Sequence, residues 1–213
     1  MTDDLPCLMY LLAHDDAAEG PYDRSRTELL VRAAALADLA SRGRLREAGG
    51  TVTVSSGTEP VGNPVLDGVL RDVAGGHSWK HLIRRHRGRT LTEVEGRLAE
   101  AGLLTVKAPR TRFGTRRLTV TDRAVPAALR TRVSTALHGE GPVRDIPVAD
   151  AVLLALAAAG AVRPIVSRQD QKTFRARIDA CTGRLTDLAP GLEKAVRALP
   201  MTMIAAQGGM GGG

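Results

Sequence analysis

The chain is expected to be mainly α: a single helical domain with amphipathic helices around a buried central helix, and a small protruding β-hairpin. Three features lead there. Glu28 to Arg42, ELLVRAAALADLASR, spreads Leu29, Leu30, Val31, Ala33, Ala34, Leu36, Ala37, Leu39 and Ala40 in most directions around a helical period, the pattern of a helix buried nearly all round. Several further segments repeat apolar residues at helical spacing. Alternating apolar and polar residues occupy only short stretches, Thr51 to Val54 and the two flanks of KAPRTRFGTR.

With 213 residues and 43% hydrophobic content the chain can bury one sizeable core, so residues 1–206 are expected to form one domain and the Gly-rich 207–213 a disordered tail. That tail is no phosphate loop, because no strand precedes it and no GK[ST] follows. A formal charge of +7 and a pI near 10.2 favour acidic partners, phospholipid headgroups or nucleic acid. Aromatics at 2% disfavour a base-stacking platform for single strands. Cys7 and Cys181 have no CxxC spacing and fit a reducing compartment. Asp3, Asp4 and Pro6 lack the basic start of a signal peptide, and no apolar run approaches the roughly 20 residues of a membrane span. The expected location is cytoplasmic.

In chain order, Leu5 to Ala13 reads as a short apolar helix with Pro6 in its first turn, followed by a polar loop from His14 to Ser25 marked by Gly20-Pro21. The central helix comes next and ends at Gly43, with Arg42 complementing the negative end of its dipole. Glu28, Arg32, Asp38 and Arg42 fall on one confined edge of it, which must meet water or an anion. Thr51 to Val54 reads as a strand, and Asn63-Pro64 begins a surface helix reaching Ala74 with Val65, Leu66, Val69, Leu70 and Val73 on one face. His77 to His86 reads as a helix anchored in the core by Trp79, and Thr90 with Glu93 as a capping box that opens another, stopped by Gly102. Leu103 to Val106 and Arg117 to Val120 read as a hairpin with a basic tip. Val125 to Leu137, Pro147 to Ala159, Lys172 to Leu185, Ala189 to Leu199 and Met201 to Ala206 complete the helical half.

Chemistry-bearing residues fall in two groups. Lys80, Arg84, Arg85, Arg87 and Arg89 form a basic run uninterrupted by any acid. At about 1 kcal/mol per cation near an anionic membrane, it could contribute several kcal/mol of salt-sensitive binding. The hairpin tip adds Arg110, Arg112, Arg116 and Arg117 around Phe113, a combination of cations and one apolar wedge suited to peripheral binding. For Arg32 two roles stand side by side: closing an anion pocket, or pairing with Glu28 or Asp38 on its own helix.

The segments LPCLMYLLAHDD, LLVRAAALADLASRGRL, PVLDGVL, SWKHLIRR, RLAEAGLL leading into a hairpin, and DAVLLALAAAG together resemble the Golgi phosphoprotein 3 family over about Leu5 to Leu199. The resemblance implies a mostly helical domain with a protruding hairpin. Its eukaryotic members bind phosphatidylinositol 4-phosphate on Golgi membranes and recruit glycosyltransferases, so an anionic phospholipid or phosphorylated headgroup and a client protein are the implied partners, with a second copy through the hairpin as another. Arg32 matches the family's arginine in the central helix. The family's lipid-contacting tryptophan falls where this chain has Tyr22, Asp23 and Arg24, and two further family arginines fall at Gly88 and Leu91, beside Arg87 and Arg89. Taking the resemblance together with the basic run and the basic tip, the expected headgroup site is Arg32, Arg84, Arg85, Arg87 and Arg89, and the expected membrane contact is Arg110, Arg112, Phe113, Arg116 and Arg117. The family's hairpin tip is apolar, whereas this one is basic.

Other classes find less support. The histidines His14, His77, His81, His86 and His138 show no HExxH, and no GxSxG, GxGxxG or Walker loop occurs, so no catalytic residue, metal or cofactor is expected; an enzyme recruited to a biosynthetic pathway is kept as an alternative. His14-Asp15-Asp16 reads as a polar exit from the core. The helices at Val65 to Ala74 and Thr90 to Ala101 with the hairpin imitate a winged-helix DNA-binding regulator. Glu93, Glu95 and Glu100 against Arg97 alone would, however, repel phosphates from such a recognition helix.

Overall fold

The computed structural model describes residues 4–56, 59–107 and 117–208, with side chains through 203. Helix α1, Leu5–Ala13, starts at Asp4, whose carboxylate accepts from the Cys7 N–H at 3.3 Å, and Pro6 lies in its first turn. All of its residues but Leu8 are buried. A two-residue antiparallel pair, β1 (His14–Asp15) with β2 (Gly20–Pro21), closes the loop that follows.

Helix α2, Arg24–Ser41, is the centre of the molecule. It begins a turn earlier than its apolar pattern alone indicates, because Asp23 caps it by accepting from the Arg26 N–H at 3.0 Å. It ends as expected, with Gly43 at φ 66°, where an L side chain would be strained. Every residue from Leu29 to Ala40 is buried. Helices α1, α3 (Pro64–Val73), α4 (Trp79–Arg84), α5 (Arg87–Glu100) and α7 (Val148–Ala159) all pack on it.

Strand β4, Thr51–Val54, does not stand alone: it pairs with β3, Leu45–Ala48, through Gly49-Gly50. Both glycines have positive φ, 56° and 76°, as a two-residue hairpin turn requires. LREA has little strand propensity of its own; the turn supplies the pairing. Asn63 caps α3 by accepting from the Val65 and Leu66 N–H groups at 3.0 and 3.4 Å. Trp79 is 3% exposed, and its indole N–H donates to Glu47 Oε2 at 3.0 Å. It is the core anchor expected. Gly191 packs against the same pair so closely that a Cβ there would overlap both side chains.

The capping box expected at Thr90 and Glu93 is absent. Helix α5 starts at Arg87, directly after His86 at φ 55°, and has no side-chain cap. Thr90 is buried inside the first turns, its Oγ1 donating to His86 O at 3.3 Å, while Glu93 faces Arg89. Tertiary partners for Arg89 and Thr90 outweigh the local cap.

The expected hairpin is present as β5, Leu104–Lys107, antiparallel to β6, Arg117–Val120, in register from Leu104↔Val120 to Lys107↔Arg117. Helix α6 spans Ala124–His138. The single helix expected from Lys172 to Leu185 is divided into α8 (Arg168–Thr173), α9 (Arg175–Gly183) and α10 (Leu185–Leu188). Its start moves upstream because Ser167 and Asp170 form a capping box. Helices α11, Pro190–Arg197, and α12, Leu199–Gly208, follow, and α12 runs into the segment expected as a tail. The antiparallel pairs are small and the helices dominate, a mainly α fold.

Candidate functional site

Arg32 lies at the middle of α2 and is 0% exposed. Its Nε donates to the Leu82 carbonyl of α4 at 3.0 Å and its Nη1 to Thr90 Oγ1 of α5 at 3.0 Å. Nη1 also lies 3.0 Å from Asp72 Oδ2, near the end of α3. One guanidinium thus ties three helices to α2. Neither ion pair weighed in the sequence is formed: Glu28 pairs with Arg87 at 3.2 Å, and Asp38 binds Arg42 and accepts from the Leu5 N–H at 2.8 Å. Nor does Arg32 lie on a water-facing edge. Packing of α3, α4 and α5 has covered that side of α2 and substituted Asp72 for the solvent or anion expected there.

Asp72 is the residue that sequence reasoning missed. Arg89 Nη2 donates to its two oxygens at 2.7 and 2.6 Å, and its side chain is only 9% exposed. Burial raises the carboxyl, but the bonds from Arg89 and Arg32 more than reverse that and hold it below the usual carboxylate range. Burial lowers the Arg32 guanidinium below the ordinary arginine value, with Asp72 opposing. The bond to Asp72 raises Arg89. One signal was available: Asp72 is three residues after Val69 and seven after Val65, so it flanks the inward face of α3, whereas Asp67 does not. Arg32 Nη2 is buried without a hydrogen-bond partner, the one loose end of the cluster.

The basic run is therefore divided. Arg87 is neutralised by Glu28, and Arg89 by Asp72 and, at 3.5 Å, Glu93. Lys80, Arg84 and Arg85 are exposed, and among the described residues none of them makes an ion pair with a carboxylate. With Ser78 and His81 they line an open groove of about 420 Å³ on α4. The reason is geometric. Trp79, Leu82 and Ile83 turn into the core, which leaves positions 80, 81, 84 and 85 on the outer side.

Tyr22, 43% exposed, shares a groove with Asp23, Arg26, Ala161 and Arg163, not with residues of the basic run. Arg117 opens β6 at the loop end of the hairpin, paired with Lys107, and is half-buried, with Nη1 3.2 Å from Glu19 Oε2. That ion pair gives one of the basic residues expected at the membrane-contacting tip a partner within the fold. Arg110, Arg112, Phe113 and Arg116 lie outside the described residues.

Helix α5 does not have the surface of a recognition helix. Glu95 is buried against Arg24 at 2.7 Å, Arg97 pairs with Asp4 at 3.1 Å, and Leu91, Val94 and Leu98 are in the core. Past Arg89 its exposed positions are Thr92, Gly96 and Glu100. They offer no row of donors to base edges. Among the described residues no group of three or more His, Cys, Asp or Glu is arranged to hold a metal ion, and no helix is long and apolar enough to cross a membrane.

Comparison with known proteins agrees with the resemblance. The family model for Golgi phosphoprotein 3 (GPP34) matches residues 5–199, from the start of α1 to the start of α12. No curated protein matches the chain. The chain belongs to the Golgi phosphoprotein 3 (GPP34) family, whose known role is phosphoinositide and Golgi-associated binding and which is not an enzyme family.

Proposed function

We propose that this protein is a peripheral binder of anionic membrane surfaces, that Lys80, Arg84 and Arg85 on the outer side of α4 make the primary contact, and that it acts there as an adaptor for a client protein. The observation that supports this reading is the contrast within one basic run, where among the described residues the exposed α4 cations have no carboxylate partners and Arg87 and Arg89 have theirs inside the fold. Three such cations near an anionic bilayer contribute about 3 kcal/mol at low salt, and the hairpin residues Arg110, Arg112, Phe113 and Arg116 are the second contact. Arg87 and Arg89 sit at the rim with their charge spent, and Arg32 positions the helices that carry the face without touching lipid. Selectivity for one headgroup is not part of this reading, since Asp72 already fills the space between Arg32 and Arg89 that a phosphate would need.

Co-sedimentation with anionic and with neutral vesicles, run beside a duplex DNA gel shift, tests it. Binding to anionic vesicles should fall as salt rises from about 50 to about 300 mM, because the Debye length shrinks below the width of the face. Equal binding to neutral vesicles, or binding to DNA and not to anionic vesicles, overturns the reading.

A further inference from the structure

The cations of α4 sit among histidines instead of carboxylates. His77 and His81 stack with ring centroids 4.4 Å apart and planes at 30°. Arg85 Nη1 is 3.0 Å from His77 Nε2, and Arg85 Nε donates to His86 Nε2 at 3.0 Å. A guanidinium is all donor, so each of these ring nitrogens can hold it only as an unprotonated acceptor. Arg85 is thereby gripped between two neutral imidazoles, an arrangement that lasts only while both stay neutral.

Among the described residues, Asp72 beside His86 is the one carboxylate within ion-pair distance of these three rings. His77 faces His81 and Arg85; on its β4 side are the Val52 backbone and, around Gly76, the methyls of Thr51 and Thr53. His81 faces His77 and the groove with Lys80, Arg84 and Arg85. His86 faces Arg85, and Asp72 at 3.9 Å, whose carboxylate already serves Arg32 and Arg89. His77 is held below the usual histidine range by partial desolvation, by His81 and by Arg85. An external anionic surface is the missing partner that would make protonation of this cluster favourable.

Building on the α4 membrane reading, we propose that His77, His81 and His86 make attachment to an anionic bilayer proton-coupled, with Arg85 held back by neutral imidazoles and released toward lipid phosphates once they are protonated. Protonation removes the lone pair that accepts from Arg85 and sets a cation against it, so the grip becomes a repulsion. It also adds up to three charges beside Lys80, Arg84 and Arg85. Because the bilayer stabilises the protonated form, binding takes up protons.

The experiment is co-sedimentation with phosphatidylglycerol–phosphatidylcholine vesicles at constant ionic strength, at about pH 8 and about pH 5.5; the lipid phosphodiester keeps one charge across this range, and histidine does not. The apparent affinity of the wild type should rise about tenfold or more on acidification, as two or three added cations imply. The variant carrying His77→Gln, His81→Gln and His86→Asn should lose most of that ratio while keeping the wild-type circular dichroism spectrum. Asn serves at position 86 because it tolerates a positive φ. A wild-type affinity equal at both pH values overturns the proton coupling and leaves the α4 membrane reading standing, whereas no binding at either pH overturns both. A full pH response surviving in the variant assigns the titration elsewhere and overturns the proposal. So does displacement by inorganic sulfate at matched ionic strength, which marks the cluster as a site for a soluble anion.

Discussion

Arg32 and Arg85 are both arginines a few ångströms from α4, and they live under opposite rules. Arg32 is sealed between four helices with an internal carboxylate; Arg85 is exposed, with imidazoles for company and no carboxylate partner among the described residues. Removing a cation from the first place exposes a folding problem, and removing one from the second exposes a binding problem. The comparison teaches that likeness of charge in a run of sequence says little about role: the partner decides whether an arginine holds the protein together or presents charge outward.

The sharpest way to break this contrast is Asp72→Ala. It leaves Arg32 buried with no counter-charge, which costs about 3 to 5 kcal/mol. Urea denaturation followed by circular dichroism should show that loss; a change below about 1 kcal/mol means that Arg32 has another way to reach water and is not sealed.

Next in size is the α4 face. Replacing Lys80, Arg84 and Arg85 together by Gln should weaken association with anionic vesicles by about 3 kcal/mol at low salt, on the order of a hundredfold. Exposed substitutions of this kind change stability by only about 0.5 kcal/mol each. A stability loss comparable with that of Asp72→Ala would erase the distinction between the two regions.

Arg32→Met should cost less than Asp72→Ala, about 2 to 3 kcal/mol, because Asp72 keeps Arg89 and sits at the edge of solvent. Vesicle affinity of the folded variant should stay within about threefold of wild type, some 0.7 kcal/mol. If stability holds and anion affinity collapses, Arg32 touches the ligand after all and the internal-partner account is wrong. Pairing Arg32→Met with Asp72→Leu sharpens the point: an apolar pair of similar volume should recover most of the stability lost by either single change.

The smallest effect concerns acid. The Asp72 carboxyl titrates lower in the folded protein than the ordinary aspartate value of about 3.9. Its contribution is therefore fully present above that value and is lost as pH falls through the depressed folded value. Unfolding free energy measured from about pH 5 downward should fall less steeply in Asp72→Asn than in the wild type. Parallel curves would show that the carboxylate is not what Arg32 and Arg89 lean on.

Much of the fold was legible because local rules and the global pattern agree. The bounds of α1 follow from Pro6 in its first turn and a short apolar run, and the end of α2 from Gly43. Trp79 declared itself as an anchor by its spacing to Leu82 and Ile83. Where the pattern misled, the reasons differ: Thr90 is taken by Arg32 from another helix, Glu93 pairs with Arg89 one turn back instead of reaching the helix start, and LREA becomes a strand because Gly49-Gly50 folds it back on Thr51 to Val54.

For the candidate site, the sequence alone determined which residues carry charge, that they cluster between positions 80 and 89, and that helical spacing puts 80, 84 and 85 opposite Trp79, Leu82 and Ile83. These depend only on residue identity and on periods of a few residues. Which of those charges remain available was decided by the tertiary structure, because an ion pair such as Arg32–Asp72 or Arg87–Glu28 joins residues 40 or more positions apart. Electrostatic partnership falls off over a few ångströms of space, and only the packing of α3, α4 and α5 on α2 sets those distances.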